Sequence, residues 1–235
     1  MSTILAVDTS SEACSIALSR NGEITSEFVL APRQHTQRLL PMIDQLLVSQ
    51  GITLGDLDAI AYGRGPGSFT GLRICLGVVQ GLAFSANIPV IPVSTLKTMA
   101  VGAIRQFSLS GDDRVLVALD ARMNEIYGAV YTGDTPLPSE LVSEFVGAPE
   151  QLSECPQILD VPAAKLIKVG AGCHYEAVQA IDTRHEDQAL LARAEDMLIL
   201  ADAAFAQGEF VAAEDTQPVY LRDSVAWKKR ERIRR

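Results

Sequence analysis

The chain has 235 residues, 48% of them apolar and 21% charged, a composition that supplies a buried core and excludes a disordered chain. No apolar run approaches the ~20 residues of a membrane span, and the opening MSTILAVDTSS has neither a charged leader region nor a cleavage site. A cytoplasmic, non-membrane protein is therefore expected. The net charge is −9, yet the basic tail 228–235 carries +5 and the rest of the chain −14. Such a body repels a phosphate backbone, leaving only the tail to meet RNA or an acidic surface; the tail reads equally well as a solvated end.

Period-two apolar patches bounded by Ser, Asn and Gly predict three antiparallel strands, ILAVDTS, ACSIALS and EITSEFVL, the last two joined by a turn at Arg20, Asn21 and Gly22. Leu39, Leu40, Met42, Ile43, Leu46 and Leu47 recur at helical spacing over about Thr36 to Gln50, and Gly51 ends that helix. DAIAYG then gives a short strand, GRGPGSFTG a loop, Leu72 to Ala86 a second helix, and IPVIPV an extended piece. Ser94 caps a helix running to about Gln106.

The second half opens as the first does. VLVALDARMNEIYGAVY repeats ILAVDTSSEACSIALS at an offset of 112, placing Ile4, Leu5, Ala6, Val7 and Asp8 on Leu116, Val117, Ala118, Leu119 and Asp120. Each copy is an apolar strand ending in aspartate, a turn and a returning strand. The repeat predicts two related α/β lobes, at 1–107 and 108–227, with the two aspartate turns facing each other across a cleft. Five prolines break up Thr132 to Lys165, where loops, a strand near Leu141 to Val146 and short helices are expected. LIKVGAG reads as a strand and a Gly turn. Ala194, Met197, Leu198, Ala201, Ala204 and Phe205 line one face of a last helix closed by Gly208, and QPVYLRDSVAW is extended.

A strand-terminal Asp8 followed by Thr9 and Ser10 has the groups a magnesium- and phosphate-handling turn needs, although Asp in such a place is also a routine turn former. Gly63, Gly65, Gly67 and Gly71 lie between a strand and a helix, where amides converge on an anion or, alternatively, backbone packs tightly on backbone. Neither the lysine of a P-loop nor the GxGxxG order is present. Ser68 lacks the GxSxG context of a hydrolase nucleophile, and His35, His174 and His185 include no pair four apart, so neither a catalytic set nor a bound metal is expected. Cys14, Cys75, Cys155 and Cys173 form no CxxC pair and read as reduced thiols.

The most telling feature is apolar. In LRICLGVVQGLAF only Arg73 and Gln80 are polar, and Gly77 and Gly81 would let a second helix approach closely. With the wide apolar arc of the preceding helix, this predicts a docking surface for a second protein or a second copy, carried by Leu39, Met42, Ile43, Leu46, Leu72, Arg73, Leu76, Gly77 and Gln80.

AVDTSSEACSIAL, HTQRLLP, AYGRGPGSFTGLRICLGVVQGLAF, PVSTLKTMA, DARMNEIY and PVYLRDSVAWKK resemble, in order and almost end to end, the bacterial TsaB family, also called YeaZ. The resemblance implies two ribonuclease-H-like lobes of the actin/Hsp70-type ATPase fold, a βββαβα repeat whose second copy is degenerate. It implies a catalytically silent paralogue of TsaD, the metalloenzyme that transfers threonylcarbamoyl to N6 of adenosine 37 in tRNA. The expected role is to bind and activate TsaD, with TsaE joining and a homodimer as the other state, through the first two helices. Asp8, Thr9, Ser10, Gly65, Gly67, Ser68 and Asp120 fall where related ATPases hold phosphate. Their neighbours depart from a working site, so weak or no ATP or ADP binding is expected. The rival expectation is an enzyme, a kinase-like protein or a peptidase of the same fold.

Overall fold

The computed structural model describes residues 2–222; the basic tail lies outside them. Alternating strand patches and turn residues give a first sheet of β1 (Ile4–Asp8), β2 (Ala13–Arg20), β3 (Glu23–Leu30), β4 (Ala59–Gly65) and β5 (Val90–Ser94), in the order β3-β2-β1-β4-β5. β1 pairs antiparallel with β2 and parallel with β4. The β2–β3 connection is two residues long, Asn21 and Gly22, both at positive φ, as a tight hairpin that follows the strand twist requires.

The second sheet is built from β6 (Arg114–Arg122), β7 (Glu125–Thr132), β8 (Glu140–Gly147), β9 (Leu166–Val169) and β10 (His185–Asp187). Its order, β10-β9-β6-β7-β8, is that of the first sheet with β6 in the place of β1. β6 likewise pairs antiparallel with β7 and parallel with β9. The molecule is thus a tandem pair of ribonuclease-H-like sheets, the architecture of the actin/Hsp70 type. The short β10 has no apolar period to announce it.

Side chains from opposite faces of each strand sort the helices into layers. Leu5, Val7, Ile16 and Ile60 pack under α1 (His35–Ser49) and α2 (Phe69–Ala86), while Ile4, Ala6, Ala61 and Ile91 face the opposite way. That opposite face receives Val101 from α3 (Thr95–Phe107), the next helix in the chain, but α3 is not its main cover. That cover is the last one, α7 (Ala194–Gln207), through Ala194, Met197, Leu198 and Ala201. Leu96, Met99, Ala100 and Ala103 of α3 lie instead on Val115, Val117 and Ile167 of the second sheet. The outer face of that sheet carries only one-turn helices, α4 (Glu150–Ser153), α5 (Pro156–Leu159) and α6 (Glu176–Gln179). α3 thus packs mainly on the second sheet and α7 on the first. Arg105 of α3 fixes the exchanged pair with a two-pronged bond to the buried Asp196 of α7, at 2.8 and 3.1 Å.

The offset of 112 matches residue character, not facing. Leu5 and Val7 point to the outer helices, whereas Val117 and its partly buried neighbour Leu119 point to α3 between the sheets. Strands buried on both faces have no period-two signal to pin the register, and a shift of one residue reverses every side chain.

Candidate functional site

Asp8 ends β1 at 1% exposure. Its Oδ1 accepts hydrogen bonds from the Ser10 amide at 3.0 Å and the Ser10 hydroxyl at 2.8 Å, while Oδ2 has no partner among the described residues. Burial pushes the Asp8 pKa up to about 6, against the two Ser10 bonds that pull it down. The glycines of the following loop seal this turn. A Cβ on Gly63 would stand 2.0 Å from Asp8 Oδ2, one on Gly67 2.5 Å from the Ser10 carbonyl, and one on Gly71 2.0 Å from the Thr9 carbonyl.

The same packing occupies two of the loop's amide donors and a hydroxyl. The Ser68 amide donates to the Ser10 carbonyl at 2.7 Å, the Gly71 amide to Ser68 Oγ at 3.3 Å, and Thr9 Oγ1 to the Gly71 carbonyl at 2.8 Å. Of the two readings of the Gly-rich loop, close backbone packing is the one this geometry supports. Ser68 is the N-cap of α2, which begins at Phe69, three residues before the expected Leu72. Gly65, at φ 103, turns away from Asp8 toward Leu72 and the Val219 carbonyl.

Asp120 does not complete a clamp. It lies on the outer side of its sheet, where its Oδ1 accepts from Tyr175 Oη at 3.0 Å and the Arg122 amide at 2.8 Å. The Arg122 amide, the Tyr175 hydroxyl and the Arg122 guanidinium hold its carboxyl below the usual range despite partial burial. Asp120 and Asp8 share no hydrogen bond among the described residues, and no cluster of three or more His, Cys, Asp or Glu side chains is placed there to hold a metal. His35, the first residue of α1, is a structural anchor whose Nε2 donates to the Ser11 carbonyl at 2.9 Å.

The two apolar helices divide differently from expectation. Leu39, Met42, Ile43 and Leu46 of α1 and Leu72 of α2 are buried in the chain's own core, because the amphipathic stripe they form is the one that covers the first sheet. They are not surface residues. What α1 leaves outside is Leu40 and Val48. α2 is another matter: with 18 residues and a mean hydropathy of 1.4 it is long and apolar enough to cross a membrane, contrary to the expectation that no segment approaches this, yet only 28% of it is buried. Its inner stripe of Gly71, Leu72, Cys75, Val79 and Ala83 lies on the sheet. Its outer side presents Phe69 at 56% and Phe84 at 75% exposure, with Leu76 and Gln80 half-buried and Arg73, Gly77 and Gly81 exposed. A Cβ on Gly77 or Gly81 would meet nothing within 4 Å. Phe69 escaped the sequence reading because the helix start was placed after it; the signal was Ser68, a good cap one residue upstream.

The chain's own carboxy-terminal segment covers one flank of this helix. Gln80 Nε2 donates to the Thr216 carbonyl at 3.3 Å, and Arg73 Nε to Tyr220 Oη at 3.1 Å. Near the end of α2, Phe84, Ile88, Phe210 and Val211 line a groove of about 520 Å³.

Comparison with known proteins decides the family. A model of the family described as "TsaD: tRNA N6-adenosine threonylcarbamoyltransferase" matches residues 28–230. The tRNA threonylcarbamoyladenosine biosynthesis protein TsaB of Escherichia coli (strain K12) is 47% identical over 96% of this chain and 97% of its own length. This chain belongs to the TsaB family. The TsaB protein of Haemophilus influenzae is 42% identical over 97% of the chain and 96% of its own length. The solved structure of YeaZ from Pseudomonas aeruginosa superimposes with a TM-score of 0.86 at 45% identity, covering 94% of this chain and all of the other, which extends the family likeness to both sheets.

Proposed function

We propose that this TsaB-family chain is a non-catalytic activating subunit in the formation of threonylcarbamoyladenosine in tRNA, and that it works by seating the outward side of α2 on the catalytic paralogue TsaD. TsaE joins that complex, and the same helix serves a homodimer when TsaD is absent. The observation that carries this reading is α2 itself, where an apolar helix with two exposed glycines and Phe84 at 75% exposure has no cover on that side among the described residues. Glycines that touch nothing weaken a helix, and their use is close approach by another backbone.

The sealed Asp8 turn supports catalytic silence. Its buried carboxylate is walled by Gly63 and bridged by Ser10, and the Ser68 and Gly71 amides are spent on the protein. Weak or absent ATP and ADP binding follows from the same contacts. Isothermal titration with ATP and magnesium tests it, and a micromolar dissociation constant overturns it.

The docking experiment is co-purification with TsaD. Gly77→Glu places a charge where the helix has open space, so the fold is kept and the complex is lost. An intact complex with this variant refutes the assignment of the surface. Turnover by the isolated chain, abolished by Asp8→Ala, would instead establish the kinase-like or peptidase reading.

A further inference from the structure

The segment after α7 does more than cover a helix flank, because its two ends are fastened to different sheets. Its first half follows the first sheet: Tyr62 Oη donates to the Gln217 carbonyl at 2.9 Å, and the Val219 amide donates to the Arg64 carbonyl at 2.8 Å. Tyr220 then closes a stack on α2, with the Arg73 guanidinium carbon 3.7 Å from the Phe69 ring centre and 5.9 Å from that of Tyr220. Two residues later Arg222 leaves the first sheet. Its guanidinium donates to the Ala121 carbonyl at 3.2 Å and pairs with the Glu125 carboxylate, both on the β6–β7 turn of the second sheet.

That turn is the strained point of the second sheet. Arg122, Met123 and Asn124 are three consecutive non-glycine residues at positive φ, 65°, 57° and 61°, a backbone region that side chains disfavour and that surrounding contacts must hold. Arg222 braces it from both sides. The α2 fastening is exposed and weak alone, Tyr220 being 46% exposed and its partner Arg73 exposed as well, whereas the Arg222 side chain is only 20% exposed.

We propose that Thr216–Arg222 is a releasable tie between the two sheets, anchored on α2 by Tyr220 and on the β6–β7 turn by Arg222, so that a protein that takes Phe69 and Arg73 for itself frees the turn. The regulatory half of this rests on the docking reading above; the tie itself does not.

Hydrogen exchange on the full chain alone tests the tie. Arg73→Ala removes the Tyr220 anchor on α2 while the Gln80–Thr216 bond stays, and Arg222→Ala removes the far anchor. Either substitution is expected to raise exchange by roughly tenfold both in 216–222 and in 121–125, leaving β1 and β6 protected. If Arg73→Ala loosens the strap while 121–125 exchanges at the wild-type rate, the two anchors are independent and the tie is refuted. Tyr220→Ala, run in parallel, removes the same anchor by its other partner and must give the same pattern. Adding TsaD to the wild-type chain supplies the second arm, in which faster exchange at 121–125 is expected. Binding with an unchanged turn overturns the coupling, whereas failure to bind overturns the docking reading and leaves the result from the isolated chain to stand.

Discussion

Asp8 has one oxygen bonded by Ser10 and one without a partner among the described residues, so little offsets the burial of its charge. Its pKa near 6 lies above the ordinary 3.8, so the folded chain holds a proton that the unfolded chain releases as pH rises. Stability from this group is complete below about pH 4 and lost through pH 6, a change of about 3 kcal/mol for a shift of this size. Asp8→Asn keeps the Oδ1 acceptor and deletes the titration. In urea unfolding, its stability relative to the wild type should rise by about that amount between pH 4 and pH 7; a difference that does not vary with pH refutes the assignment. Gly71→Ala makes the opposite test of the same turn. A methyl 2.0 Å from the Thr9 carbonyl forces the two backbones apart, and a loss above about 2 kcal/mol is expected in the same assay. The residue types of this turn were plain in the sequence. Their orientation was not, because strand-terminal Asp and clustered Gly look alike whether a loop opens toward a ligand or closes on itself.

At the scale of elements, α2 makes the sharpest prediction. Gly77→Ala adds a methyl that meets nothing and removes backbone freedom from a helix interior, so the isolated chain should gain about 1 kcal/mol in urea unfolding. The same variant should bind TsaD more weakly, since the methyl stands where a partner backbone approaches. A gain in stability with unchanged binding would separate the glycine from docking. Helices and strands with a clear period were legible from the chain: α1 stops at Gly51 with φ 62°, α3 is capped by Ser94 Oγ accepting from the Lys97 amide at 3.0 Å, and α7 is closed by Gly208 at φ 75°. The outward surface was legible only in α2, whose apolar residues run round the whole cylinder. In α1 the broad arc that looked surplus is mostly the core stripe itself, and periodicity alone gives no depth to which a helix sinks.

At the scale of the molecule, the exchanged helices carry the joint between the sheets. Asp196 is buried against Gly102 and bonded by Arg105; burial pushes its pKa up while the guanidinium pulls it down. Arg105→Ala leaves that carboxylate in place with its principal cation gone. Because Arg105 is itself half-exposed, the expected loss in urea unfolding is about 2 kcal/mol, below the figure for a fully buried pair; a loss under about 0.5 kcal/mol would mean that the pair is incidental. The tandem architecture was readable from the repeated strand-Asp-turn-strand pattern. The crossing of α3 and α7 was not, since chain order says nothing about which of two apolar sheets a following helix will choose.

That crossing sets a timetable for biosynthesis. β5 leaves the ribosome about a hundred residues before α7, which at ~5–20 residues per second leaves one side of the first sheet bare for roughly 5–20 s. Throughout that interval Ile4, Ala6 and Ile91 lack the helix that covers them in the finished chain. A product that stops before α7 therefore keeps that apolar face uncovered, with no later element of its own chain to close it.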